Sequence, residues 1–244
     1  MRPFRSAELL DTWERFNHSN PVRKALSLLK VACSDGDPAD PALLSIGERD
    51  LRLLQLREWM FGTSMVNISS CPACGERLEW ITHIAALRYL PPAGNDAPLH
   101  LKYLDYEISF RLPNTYDLSQ IEQIRDPELA TKKILAACIT GISQDGNVCE
   151  VAGLPEDALH ALNERLAEED PQANIQMNLN CPHCSHAWQS RFDIVSYLWM
   201  EIDHWAKNML HDVALLASAF SWSERDILNM TPHRRQLYLK IIRK

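Results

Sequence analysis

Glycine is scarce, at 8 of 244 residues, and none of it forms a phosphate-cradling loop. There is no G-x-S-x-G, no P-loop and no Gly-rich dinucleotide fingerprint, which removes the commonest hydrolase, nucleotide and dinucleotide sites. Apolar runs are short. None approaches the length of a membrane span, and the opening MRPFRSAELL lacks the apolar stretch of a secretory signal. Surplus positive charge is missing too. Lys and Arg number 25 against 32 Asp and Glu, a formal net charge of -7, and a general nucleic-acid binder needs the opposite balance to neutralise phosphates. Seven cysteines without a signal argue against a disulfide framework and for a reducing compartment, so a cytoplasmic location is expected. What is present is the composition of a folded domain: 46% hydrophobic and 23% charged.

The periodicity divides the chain into five parts. Residues 1–62 read as helical. Leu9, Leu10, Trp13 and Phe16 recur at helical spacing, Asn20-Pro21 reads as an N-cap with proline at the first helical position, and a third helix is expected over residues 48–61 with Leu51, Leu54 and Trp59 inward. Loops are expected at residues 34–41 and again over PPAGNDAP, residues 91–98. Residues 63–90 alternate around a CPAC turn, with Leu78, Trp80 and Thr82 on one face, as two strands joined at the cysteines. Residues 91–170 form an insert: one or two strands in LHLKYLDYEISFRL, then helices throughout 116–169, opened at Asp126-Pro127 and Leu154-Pro155. Residues 171–193 repeat the strand, knuckle, strand layout around CPHC. Residues 194–244 return to helix, with Val195, Leu198, Ile202, Trp205, Met209, Val213, Leu216 and Phe220 stepping by three or four. Ser223 and Asp226 fit the start of a further helix, and Thr231-Pro232 the start of the last.

Cys71-Pro-Ala-Cys74 and Cys181-Pro-His-Cys184 carry the chemistry. Two intervening residues let one tight turn aim both sulfurs at a single ion, and zinc favours four tetrahedral ligands with thiolate among them. Gly75 allows the left-handed conformation such a turn needs. Ser185 stands at the equivalent place in the second knuckle, where strain or a different turn is expected. The pattern predicts an α+β fold built on a discontinuous two-hairpin zinc ribbon, holding one structural Zn2+ on Cys71, Cys74, Cys181 and Cys184, with no catalytic residue. Iron uses similar cysteine turns and stands as the alternative metal. A redox reading fits less well, since neither pair opens a helix after a strand. His183 and His186 are replacement ligands in principle, and turn residues once four cysteines are counted. The zinc-deaminase signature requires H-x-E, which does not occur.

Other candidates are weaker. Glu201-x-x-His204 has the spacing of a di-iron ligand pair, but no second pair accompanies it, and a solvated helix face explains it. Cys33, Cys138 and Cys149 read as inert thiols. The stretch from His233 to Lys244 is basic, with Arg234, Arg235, Lys240, Arg243 and Lys244 and no acid. It complements a helix dipole or contacts a partner, and with the cysteine hairpins it supports an alternative reading as a zinc-ribbon nucleic-acid-binding regulator.

Several segments together carry a resemblance: ELLDTWERFNHSNPVRKALSLL, IGERDLRLLQLREWMFG, CPACGERLEW, ISFRLPNTYDL, ATKKILAACI, LNCPHC, and FDIVSYLWMEIDHWAKNMLHDVALLASAFSWSERDILNMTPHRRQLYL. Across nearly its whole length the chain resembles the T-even-type phage baseplate hub assembly chaperone family, including its contractile injection system relatives. The resemblance implies assembly or structural work on the baseplate, hub or spike proteins of a phage-tail-like particle. It implies no catalysis, and no nucleic acid, membrane or small-molecule substrate is expected as a partner. The family's knuckle cysteines fall on Cys71, Cys74, Cys181 and Cys184.

Overall fold

The structure, a computed structural model, describes residues 1–33, 40–89 and 99–242. It mixes helix with small antiparallel sheets, an α+β fold, and divides into two compact units. One combines Met1–Asp37 with Ile194–Lys244, and the other is Pro38–Asp193. The loop expected at residues 34–41 falls mostly, and that at 91–98 wholly, outside the described residues.

The first unit is helical: α1 (Ser6–Phe16), α2 (Pro21–Ala32), α7 (Ile194–Phe220), α8 (Glu224–Leu228) and α9 (Pro232–Ile242). The Asn20 side chain accepts the Arg23 N–H, and Pro21 occupies the first helical position, so α2 starts where its sequence says. Leu9, Leu10, Leu28, Leu29, Leu198 and Ile202 are buried, and α1, α2 and α7 pack on one another. Polar ties hold the edges: the Trp13 indole donates to Asp203 at 3.0 Å, and Lys24 lies over the Trp199 ring at 4.9 Å. Further along α7, Leu216 packs with Ile227 of α8 and Leu239 of α9, roofed by Phe220, Trp222 and Tyr238. Arg235 is buried beside Asp212, at 4.0 Å, and burial lowers its pKa.

The second unit begins with α3 (Ile46–Phe61) and the hairpin β1 (Ser64–Ser70) and β2 (Arg77–His83). It continues with β3 (Leu99–Tyr103), β4 (Tyr106–Phe110), α4 (Thr115–Ile121), α5 (Pro127–Cys138), β5 (Ile139–Gln144), β6 (Asn147–Val148) and α6 (Glu156–Glu169). It closes with a second hairpin, β7 (Gln176–Asn180) and β8 (Ala187–Arg191). Two expectations are corrected. Trp59 is 44% exposed; the buried side of α3 is Leu53, Leu54 and Leu56. Residues 116–169 are not all helical, because β5 and β6 complete a four-stranded sheet in the order β3-β4-β5-β6. Strand β5 follows α5 without an intervening turn, so the apolar residues of KKILAACITGI run on as if in one helix. Pairing with β4 decides the matter, placing Ile142 opposite Ile108 in a core completed by Phe110, Leu135, Leu154, Leu162 and Leu166.

The insert returns to its starting place through α3. The Asp170 carboxylate accepts the Gly47 N–H at 2.8 Å at the start of α3, and the Gln172 side chain bonds the Leu87 carbonyl and the Tyr89 N–H. A Cβ at Gly47 would lie 1.7 Å from Asp170 Oδ1. Helix propensity alone favours alanine over glycine by about 1 kcal/mol. Here the clash reverses the sign. Gly47→Ala should destabilise the protein by roughly 1–3 kcal/mol in urea unfolding, and the loss should vanish when Asp170→Ala is combined with it.

Candidate metal centre

Each cysteine pair sits in the turn of a hairpin, and the two hairpins share one register. Ser70 pairs with Arg77 next to the first knuckle, and Asn180 with Ala187 next to the second. The turns are built alike. The Cys71 N–H donates to the Glu76 carbonyl and Gly75 N–H to the Cys71 carbonyl; Cys181 N–H donates to His186 and Ser185 N–H to Cys181. Gly75 has φ +76° and Ser185 φ +60°, so the second knuckle adopts the same turn despite its side chain. A left-handed serine costs about 1–2 kcal/mol, which the surrounding turn bonds must offset.

The four Sγ atoms lie within 4.8 Å of one another. Cys71 and Cys184 are 3.6 Å apart across the hairpins, as are Cys74 and Cys181. These separations are far beyond the ~2.05 Å of a disulfide. They fit a tetrahedral ion: metal–sulfur bonds of about 2.3 Å put the sulfurs about 3.8 Å apart. Cys71 and Cys181 are buried while Cys74 and Cys184 are exposed, so the cluster lies at the protein surface with one cysteine of each knuckle inward. Among the described residues this is the only such group of His, Cys, Asp or Glu side chains.

Electrostatics set a condition on the site. Burial pushes the Cys71 thiol up, but the N–H groups of Cys74 and Ala73 and the neighbouring sulfurs outweigh it and lower it to about 7. The Glu76 N–H favours the Cys74 thiolate, yet burial and three adjacent sulfurs raise that thiol to about 12. The His186 N–H favours the Cys184 thiolate, but Cys184 too is raised, through burial and the sulfurs of Cys71 and Cys181. The Cys71 thiolate forms readily, and the Cys74 and Cys184 thiols resist. A divalent cation at the centre reverses that preference and displaces the protons.

The remaining candidates stay apart from this cluster. His183 and His186 are exposed, and the His186 ring stacks on Trp188 with centroids 6.0 Å apart. His204 is exposed on α7 with its ring nitrogen 2.9 Å from the Asn208 amide. Among the described residues Glu201 and His204 join no cluster of possible metal ligands. Cys33 and Cys138 are buried, burial raising Cys138 to about 11, and the Cys149 thiol donates to the Asn147 carbonyl. Asp170 and Gln172, which tie the end of the insert to the start of α3 and to the stretch after β2, carried no sequence signal for these contacts.

Among the described residues no helix is long and apolar enough to cross a membrane. No curated protein and no solved structure matches the chain. The model of the family described as T4 bacteriophage base plate protein matches residues 8–199, a span that takes in both hairpins and all four clustered cysteines. With well over half its length matched, the chain belongs to the T4-type phage baseplate protein family.

Proposed function

We propose that this protein is a non-catalytic assembly factor for the baseplate hub of a contractile, phage-tail-like injection particle, acting as a chaperone or as a structural component, with a zinc ribbon as its rigid clamp. The four-sulfur cluster carries this reading. Four thiolates saturate a tetrahedral zinc and leave no position for water or substrate, so such an ion braces the fold and does no chemistry. Family membership supplies the context, other baseplate components being the partners.

The two hairpins support the partner contact by their difference. On the outer face of the first, Val66, Ile68 and Ile81 are 49%, 57% and 65% exposed. At the matching positions the second hairpin carries Gln176, Asn178 and Arg191. The ribbon tolerates polar residues there, so the exposed aliphatic side chains serve something other than the hairpin itself.

The test is quantitative mass spectrometry on sheathed particles, with and without the gene. Particle formation is expected to fail without the protein. Fixed copy number in finished particles then makes it a component, and absence from them makes it a chaperone that leaves. Normal, functional particles in its absence would overturn the proposal.

A further inference from the structure

The helical unit carries two surfaces of opposite character. One is a groove of about 700 Å³ between α1, α7 and α8, within the usual range of binding clefts. Leu10, Trp13, Leu210 and Leu228 line it as apolar floor, and Asp11, Glu14 and Glu224 as acids against a single cation, Arg225. Asp11, Glu14 and Glu224 are exposed. The other surface is the outer face of α9. That helix buries Arg235 and Leu239 inward. Outward it shows Leu237 and Ile241, 48% and 61% exposed, one helical turn apart. His233, Arg234 and Lys240 are exposed on the same helix.

We propose that two copies of this chain associate by seating α9 of one in the acidic groove of the other. A helix with apolar residues at i and i+4 is the ordinary occupant of an apolar groove. The charges select which helix. Arg234 and Lys240 flank the apolar pair on α9, and Asp11, Glu14 and Glu224 rim the groove, so the two surfaces are complementary in hydropathy and in sign. Neither surface satisfies the other within one chain: Leu237, Ile241 and the three carboxylates are all exposed in the folded monomer. Three turns of one helix make a small contact, below the ~800 Å² per partner of a standard interface. The association is therefore concentration-dependent and weakened by salt.

Analytical ultracentrifugation of the full chain, from about 1 to 200 μM in nuclease-treated buffer, tests this. The mass is expected to rise with concentration and to fall back at 0.5 M NaCl. Arg234→Glu/Lys240→Glu and Asp11→Lys/Glu14→Lys should each weaken association tenfold or more. All four positions are exposed, so circular dichroism should show both variants folded. Mixing the two reversed variants should restore association, because the acidic α9 of one then meets the basic groove of the other. A single monomeric species across the range overturns the proposal. So does association that either reversed variant retains, or that appears only when nucleic acid is added.

Discussion

Removing the ion proposed for the four cysteines should lower the thermal midpoint of the protein by roughly 10–20 °C, the equivalent of about 5 kcal/mol for a chain of this size. Purified protein should carry one zinc per chain by elemental analysis. Each of Cys71→Ser, Cys74→Ser, Cys181→Ser and Cys184→Ser should abolish stoichiometric binding, while Cys33→Ser and Cys149→Ser leave it intact. The magnitude follows from connectivity. β1–β2 and β7–β8 are separate two-stranded sheets, and an isolated hairpin is marginal in water. An ion on Cys74 and Cys181 joins positions 107 apart, and a cross-link over a loop of that length removes about 4–5 kcal/mol of denatured-state entropy. Gln172 ties the stretch before β7 to the stretch after β2 without the metal, so the loss should centre on the knuckles. Hydrogen exchange after chelation should rise first at Cys71, Gly75, Cys181 and Ser185, whose N–H groups close the two turns. Metal-free protein with an unchanged midpoint would sink the clamp.

The cysteine centre was legible because its determinants are local. Each knuckle is specified within six residues, from Cys71 to Glu76 and from Cys181 to His186, and proline and the alternation around it mark a turn between strands. The helix starts at Asn20-Pro21, Asp126-Pro127 and Ser223 were legible for the same reason: a cap is a contact between a residue and its near neighbours. What failed depends on partners far along the chain. Ile139 to Gln144 becomes a strand because Ile108 and Ser109 lie ready to pair with it, and nothing within the segment says so. Trp59 is large and apolar, yet α3 turns Leu53, Leu54 and Leu56 inward because its packing partners include the short helical turn of Pro171–Asn174. The Gly47–Asp170 contact spans 123 positions and has no local signature at either end.

That dependence on distant partners makes Arg111→Ala a severe substitution, expected to cost about 2–4 kcal/mol at pH 7.5. Arg111 stands just beyond β4. Its guanidinium grips Asp117 at 2.6 and 2.8 Å, and Nη2 also donates to the Ala137 carbonyl near the end of α5. One side chain thus ties the sheet to the start of α4 and the close of α5. Asp117 is buried, with a side chain 4% exposed, and without Arg111 its carboxylate still accepts the Asn114 backbone N–H but loses both guanidinium bonds. Burial pushes the Asp117 carboxyl up, but hydrogen bonds from Arg111 and Asn114, with the Arg111 charge, hold it below the usual carboxylate range. In the native protein this group stabilises the fold above its unfolded pKa, and the contribution is lost as pH falls through the lower folded value. In Arg111→Ala the burial effect is left largely unopposed, and the folded pKa rises above the unfolded one. The penalty is then full at neutral pH and fades as pH falls through that raised value. Urea unfolding of both proteins at pH 7.5 and 4.5 should therefore show the difference between them shrinking in acid. Loss of an ion from the proposed cysteine site at the lower pH would affect both alike and cancel in the comparison. Arg111→Lys should lie between the two, since it keeps the charge but not the two-pronged geometry. A deficit unchanged or larger at pH 4.5 would mean that the Arg111 carbonyl contacts, and not its pairing with Asp117, hold this corner together.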